Sequence, residues 1–237
     1  MSTPEQGQAG DSDVSIERLS FTLGDGRPLD AILMVPREPR ALFVYGHGAG
    51  AGMEHPFMAA SARALEARGI ASFRYNFPYM QRRTGRPDPT VILLATVRRA
   101  VETAAAAMPD LPLFAGGKSM GGRMTSQAQA EEPLQGVRGI VFYGFPLHRP
   151  KRPEVTRAEH LARVTVPMLF LQGTRDEMAD LESIRGVVAG LCSRATLHVV
   201  EGADHGFHVL KRSGRTDAEV LDEISDRVAA WIGERIG

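Results

Sequence analysis

Gly117-Lys118-Ser119-Met120-Gly121 is the stretch on which the reading of this chain turns. It is a G-x-S-x-G pentapeptide. A short apolar run, residues 111–116, precedes it, and a segment that reads as a helix start, residues 122–128, follows. A strand that passes into a helix within so few residues needs a very tight turn. The central residue of that turn takes a strained backbone conformation and holds its side chain up into the cleft. Glycines at the flanking positions remove Cβ atoms that would collide between strand and helix. A serine presented this way is a candidate nucleophile; the plainer alternative for Ser119 is a helix N-cap. The pentapeptide alone does not separate the two, and the decision rests on what surrounds it.

Outward from the motif, strands and helices alternate. Residues 14–23 and 29–35 form a leading antiparallel pair around a turn at 24–26. Residues 41–46, 70–75, 111–115, 137–143, 167–172 and 195–200 are the further strands. Helices are expected over 56–68, 89–107, 180–191 and 217–236, and from the motif to about 131. This rhythm predicts an α/β fold, with a mostly parallel central sheet flanked by helices and no large cap domain. Residues 76–88 and 145–159 are proline-containing loops. Both leave from strand carboxyl ends, where open α/β sheets hold their ligands.

A chain of 237 residues fits one such domain, over 14–237, behind a polar, acidic tail at 1–13. No basic-then-apolar leader and no apolar run of membrane-spanning length is visible, so a cytoplasmic location is expected. The single cysteine, Cys192, cannot form an internal disulfide. Zero net charge gives no global field that would attract nucleic acid or an anionic membrane. No H-x-x-x-H or C-x-x-C spacing suggests a metal, and no cofactor is called for.

An attacking serine needs a base, and the base needs an orienting acid. His205, in the loop that follows the last strand, can supply the first. Its rival is His208, three residues on. Asp176, after the preceding strand, can supply the second, with Glu177 and Asp180 as alternatives. An oxyanion would need backbone N–H donors. The Met120 N–H, next to the nucleophile, is one. The loop His47-Gly48-Ala49-Gly50-Ala51-Gly52 offers the other, with Ala49 favoured and Gly48 and Gly50 as neighbours. His47 is expected to order that loop through a hydrogen bond. Asp204 is expected to bond nearby N–H groups, and His55 and His160 to be structural. Lys118 is expected to be buried sideways or ion-paired.

Ser119, Asp176 and His205 fall in a fixed order, each at a strand's carboxyl end, with the glycine loop earlier in the chain. On these features the chain resembles the α/β-hydrolase superfamily over essentially its whole folded length. It is more narrowly similar to a small, nearly lidless, dienelactone-hydrolase-like branch of bacterial hydrolases, which extends to a subunit of a eukaryotic histone-acetyltransferase complex. That similarity is carried by residues 47–51, 73–79, 116–122 and 204–207. The chain departs from dienelactone hydrolases in having Ser119 where they have cysteine. The resemblance implies hydrolase chemistry without naming a substrate.

The expectation is therefore a serine hydrolase, carboxylesterase-like, acting on a small or medium ester or related acyl compound. Phe77, Tyr79, Arg82, Phe145 and Phe207 are the candidate substrate contacts, with Met80 and Met120 as further apolar lining. Arg82, Arg83 and Arg86 crowd one loop, and Arg149, Lys151, Arg152 and Arg157 the other. They are either solvated loop charges or a rim that selects a carboxylate or phosphate. Trp231 and Ile232 on the last helix suit either the core or a second copy. The rival functions are a non-catalytic interaction module on the same fold, and an acyltransferase, peptidase or perhydrolase on the same residues.

Overall fold

The computed structural model describes residues 14–148 and 155–236. The tail expected at 1–13, and Arg149, Lys151 and Arg152, lie outside the described residues. Among the described residues, eight strands form one sheet in the order β1-β2-β4-β3-β5-β6-β7-β8. They are β1 Ser15–Thr22, β2 Pro28–Val35, β3 Ala41–Gly46, β4 Ile70–Tyr75, β5 Leu113–Lys118, β6 Val137–Tyr143, β7 Met168–Gly173 and β8 Ala195–Val200. The β1–β2 and β2–β4 pairings are antiparallel, and β3 through β8 run parallel. Among the described residues, six α-helices accompany them: α1 Pro56–Glu66, α2 Pro78–Gln81, α3 Thr90–Ala107, α4 Met120–Glu131, α5 Leu181–Gly190 and, after the last strand, α6 Asp217–Ile236.

Burial on both faces explains why the inner strands are mostly apolar along their whole length and do not alternate with polar residues: all six residues of β3, β4 and β7 are buried. Alternation still sorts the side chains. Phe43, Tyr45, Val141 and Tyr143 pack with Val228, Trp231 and Ile232 of α6 and Met58 of α1. Leu42 and Val44 pack instead with Val97 of α3 and Met124 of α4, and Phe142 with Ile184 of α5. Trp231 and Ile232 therefore fill the core of this chain, at 0% and 1% exposure.

Two expectations are corrected here. The strand before Ser119 runs to Lys118 and not to Ala115. Its Gly116 and Gly117 look like loop residues in sequence. They are glycines because β3 and β6 press on them: a Cβ on Gly116 would lie 2.0 Å from Val141 O, and one on Gly117 2.3 Å from Gly46 O. The segment 76–88 is not wholly loop, because α2 sits inside it. Pro78 at its start supplies a helix-ready φ, and four residues are too few to show periodicity.

The chain order determines where a site can form. From β3 the chain moves one way to β4, and from β5 it moves the other way to β6, β7 and β8. The switch point lies between β3 and β5, whose carboxyl ends carry the glycine loop and Ser119. A crevice forms outside the strand ends at such a point. Among the described residues, no helix is long and apolar enough to cross a membrane.

Candidate active site

Ser119 is the single residue between β5 and α4, with φ 49° and ψ −112°. That is a strained conformation for a residue with a side chain, and it is held from both sides. The Ser119 N–H donates to Tyr143 O at 3.1 Å, and the Arg123 N–H donates to Ser119 O at 3.1 Å. The Ser119 hydroxyl lies 2.9 Å from His205 Nε2. His205 Nδ1 lies 2.7 Å from Asp176 Oδ2. These partners set the tautomer: Nδ1–H donates to the carboxylate, which leaves the Nε2 lone pair facing the serine.

The Asp176 carboxylate is fully buried, which would be costly if its oxygens were unpartnered. Oδ1 accepts from the Met178 N–H at 2.7 Å, and Oδ2 also accepts from Gln172 Nε2 at 2.5 Å. Gln172 in turn accepts the Phe145 N–H at 3.2 Å. Gln172 is a site residue that the sequence reading missed. Its signal is a buried glutamine closing the apolar run of β7, four residues before Asp176. The alternative acids and base are engaged elsewhere or exposed. Asp180 caps α5 by accepting the Ser183 N–H at 2.8 Å, and Glu177 is exposed. His208 pairs with Asp217 at 2.7 Å on the cavity rim. Asp204 orders the loop, taking the N–H groups of Gly206 and His208 at 2.8 and 2.9 Å.

The glycine loop lies beside Ser119, and both Gly48 and Ala49 line the cavity there. Gly50 is removed as an oxyanion donor because its N–H is given to the Tyr79 hydroxyl at 3.2 Å. Met120 is the first residue of α4, so its N–H has no intrahelical partner and sits at the positive end of the helix dipole. His47 orders the loop from below. Its Nδ1–H donates to Gly48 O at 2.8 Å, and its Nε2 accepts the Phe77 N–H at 3.1 Å. Burial pushes this imidazole down to about 4, so it is neutral.

A cavity of about 530 Å³ opens at Ser119, walled by Ala49, Phe57, Met58, Met178, Phe207 and Leu221 among others. Of the expected contacts, Phe207 is there. Phe77 and Tyr79 are not: both are fully buried, packed edge-on against His47 under the glycine loop. The turn at Pro78 tucks them inward. Phe145 is also core, against Phe142 and Phe170. Arg82 is bonded to Asp88 at 2.6 Å and does not line the cavity. Nor do Arg83, Arg86 and Arg157, so among the described residues no loop arginine forms a rim around it. Phe57, Met178 and Leu221 were missed because they come from segments distant in sequence. Phe57 enters just after the glycine loop, and Leu221 comes from the start of α6.

His55 and His160 are structural. His55 Nδ1 accepts the Phe57 N–H at 3.2 Å at the start of α1, and His160 Nε2 meets Ser126 Oγ at 2.7 Å. Among the described residues, no three His, Cys, Asp or Glu side chains are grouped as a metal site requires. Burial pushes His160 down to about 4, as it does His47. An unfolded chain protonates its histidines near pH ~6.5, so each of these two favours the folded state above that pH. The contribution is lost as pH falls through 6.5 toward 4. Each is expected to remove about 2 kcal/mol of stability between pH 8 and pH 5. Denaturant melts at the two pH values check this. His160→Gln should shrink the acid loss by its share, and an undiminished loss would refute the assignment.

Residues 39–233 match the family model described as alpha/beta hydrolase domain. The chain belongs to that family. The fold of this alpha/beta hydrolase is shared with solved structures of low sequence identity. A dienelactone hydrolase from Anabaena variabilis superposes with TM-score 0.74 at 20% identity, over 94% of this chain and 99% of that one. An α/β serine hydrolase without lid from Xanthomonas campestris superposes with TM-score 0.71 at 22% identity, over 97% and 98%. Among curated proteins, a Mycobacterium tuberculosis "Putative phosphoribosyl transferase" is 29% identical over 184 residues. That match takes in 76% of this alpha/beta hydrolase but only 40% of the relative, so the chain spans less than half of its length.

Proposed function

We propose that this protein is a serine hydrolase of the carboxylesterase type. The observation that carries the reading is the unbroken hydrogen-bonded line from Asp176 through His205 to Ser119, ending in an apolar cavity. His205 Nε2 takes the hydroxyl proton as Ser119 Oγ attacks the acyl carbon. The oxyanion that forms is held by the N–H groups of Met120 and Ala49. Asp176 stabilises the imidazolium, which then gives its proton to the leaving alcohol. Water, deprotonated by the same imidazole, releases the acid from the acyl-enzyme. The walls at Phe57, Met58, Phe207 and Leu221 favour a neutral, apolar acyl group of small to medium size.

The test is labelling by a fluorophosphonate, with the modified peptide located by mass spectrometry. The reading expects one adduct, on Ser119, and loss of p-nitrophenyl ester hydrolysis in proportion to it. A folded protein that takes no label would favour the non-catalytic interaction module.

A further inference from the structure

Lys118 immediately precedes Ser119 and is not used in the mechanism above. Lys118 lines the cavity, and its Nζ donates to the backbone carbonyl of His205. We propose that Lys118 is a positioning residue whose ammonium, anchored on the His205 backbone, lies close enough to the His205 imidazole to oppose its protonation and so offset part of the pull of Asp176. The proposal rests on the serine-hydrolase reading for its functional meaning.

Three observations converge on it. The first is proximity. A Cβ on Gly144 would meet Lys118 Nζ at 3.2 Å and His205 Cε1 and Nδ1 at 3.3 Å, so ammonium and imidazole share one small space against that glycine. The second is the surroundings of the ammonium. It sits over the rings of Phe57 and Phe207, 5.9 and 5.3 Å from their centroids, and these rings are stacked within 11° of parallel. Phe207 reaches this place with φ 66°, a left-handed conformation that a phenylalanine adopts only when its surroundings hold it there. The third is the lack of neutralisation. Among the described residues Lys118 makes no ion pair with a carboxylate; Asp176 and Asp204 act on it only at longer range.

Asp176 and Asp204 raise the proton affinity of the amine, and burial lowers it further than they raise it, to about 8. The charge is therefore present at neutral pH and below. Across the cavity the same space is faced by His55 at the start of α1 and by the His208–Asp217 pair at the start of α6. A cation beside an imidazole opposes its protonation. Asp176, 2.7 Å from Nδ1, favours the imidazolium, and the Lys118 charge works against it. A structural lysine would need only the hydrogen bond; this one also places its charge beside the base.

The experiment compares Lys118→Gln, Lys118→Met and Lys118→Arg with the unaltered protein. The His205 imidazole is followed through a pH titration by NMR of 13C-labelled histidine, with its signal assigned by loss in His205→Gln. Gln and Met remove the charge and should raise the His205 midpoint by about 0.5 to 2 pH units, while Arg should leave it nearly in place. The acid limb of kcat/KM for a p-nitrophenyl ester should move with it. Gln keeps a donor for the His205 carbonyl, so it decides the question if Met does not fold. Unmoved midpoints in Gln would overturn the proposal, whatever the activity. A moved midpoint in a protein that hydrolyses no ester would uphold the electrostatic role of Lys118 and remove the hydrolase reading.

Discussion

Ser119→Ala is expected to lower kcat for a p-nitrophenyl ester by about 10⁴-fold or more while leaving KM within a few-fold of its starting value. The size follows from what the hydroxyl does. It bonds to His205 Nε2, so its loss removes the covalent route and leaves the cavity walls as they were. Residual turnover would come from oxyanion donors and binding alone, about 10³ to 10⁴ over water. The strained φ of 49° is as unfavourable for alanine as for serine, so the unfolding transition should not move. His205→Gln should lose activity on the same scale, and the double variant little more, because nucleophile and base act as a unit. A Ser119→Ala protein that keeps more than about a tenth of its activity would end the serine mechanism.

Much of this arrangement was legible in the sequence because it is local. The strands over 41–46, 70–75, 137–143 and 195–200 are short, mostly apolar stretches rich in β-branched and aromatic residues, and the structure has strands over those same residues. Ser119, Asp176 and His205 could be picked out because each follows a strand, and the structure brings their side chains into one line. The contacts that were not legible depend on geometry across the sheet. Phe77 and Tyr79 leave a strand end in the right direction, but Pro78 turns them under the glycine loop, where Tyr79 takes the Gly50 N–H. Phe57 and Leu221 face Ser119 only because α1 and α6 pack side by side on one face of the sheet. Gln172 was hidden for a different reason. A polar residue in a buried strand signals a partner, but its spacing does not say which one.

Gly121→Ala should destabilise the protein by about 3 kcal/mol or more and remove most of its activity. The added methyl carbon would lie 2.2 Å from Gly46 O, 2.4 Å from Gly46 C and 2.8 Å from His47 O. All three are backbone atoms at the end of a central strand, so no side chain can rotate away to make room. Either α4 lifts from β3 or the end of β3 shifts. The first withdraws the Met120 N–H from Ser119, and the second displaces the His47-Gly48-Ala49 loop. Both undo the proposed oxyanion geometry before Ser119, His205 or Asp176 is touched. The same substitution at Gly186, inside α5, meets nothing within 4 Å and should stabilise by about 0.5–1 kcal/mol, because alanine loses less backbone entropy in a helix. Denaturant unfolding of the two variants side by side tests the account: opposite signs are expected. A Gly121→Ala protein with an unchanged midpoint would mean that strand and helix do not approach as closely as the elbow requires.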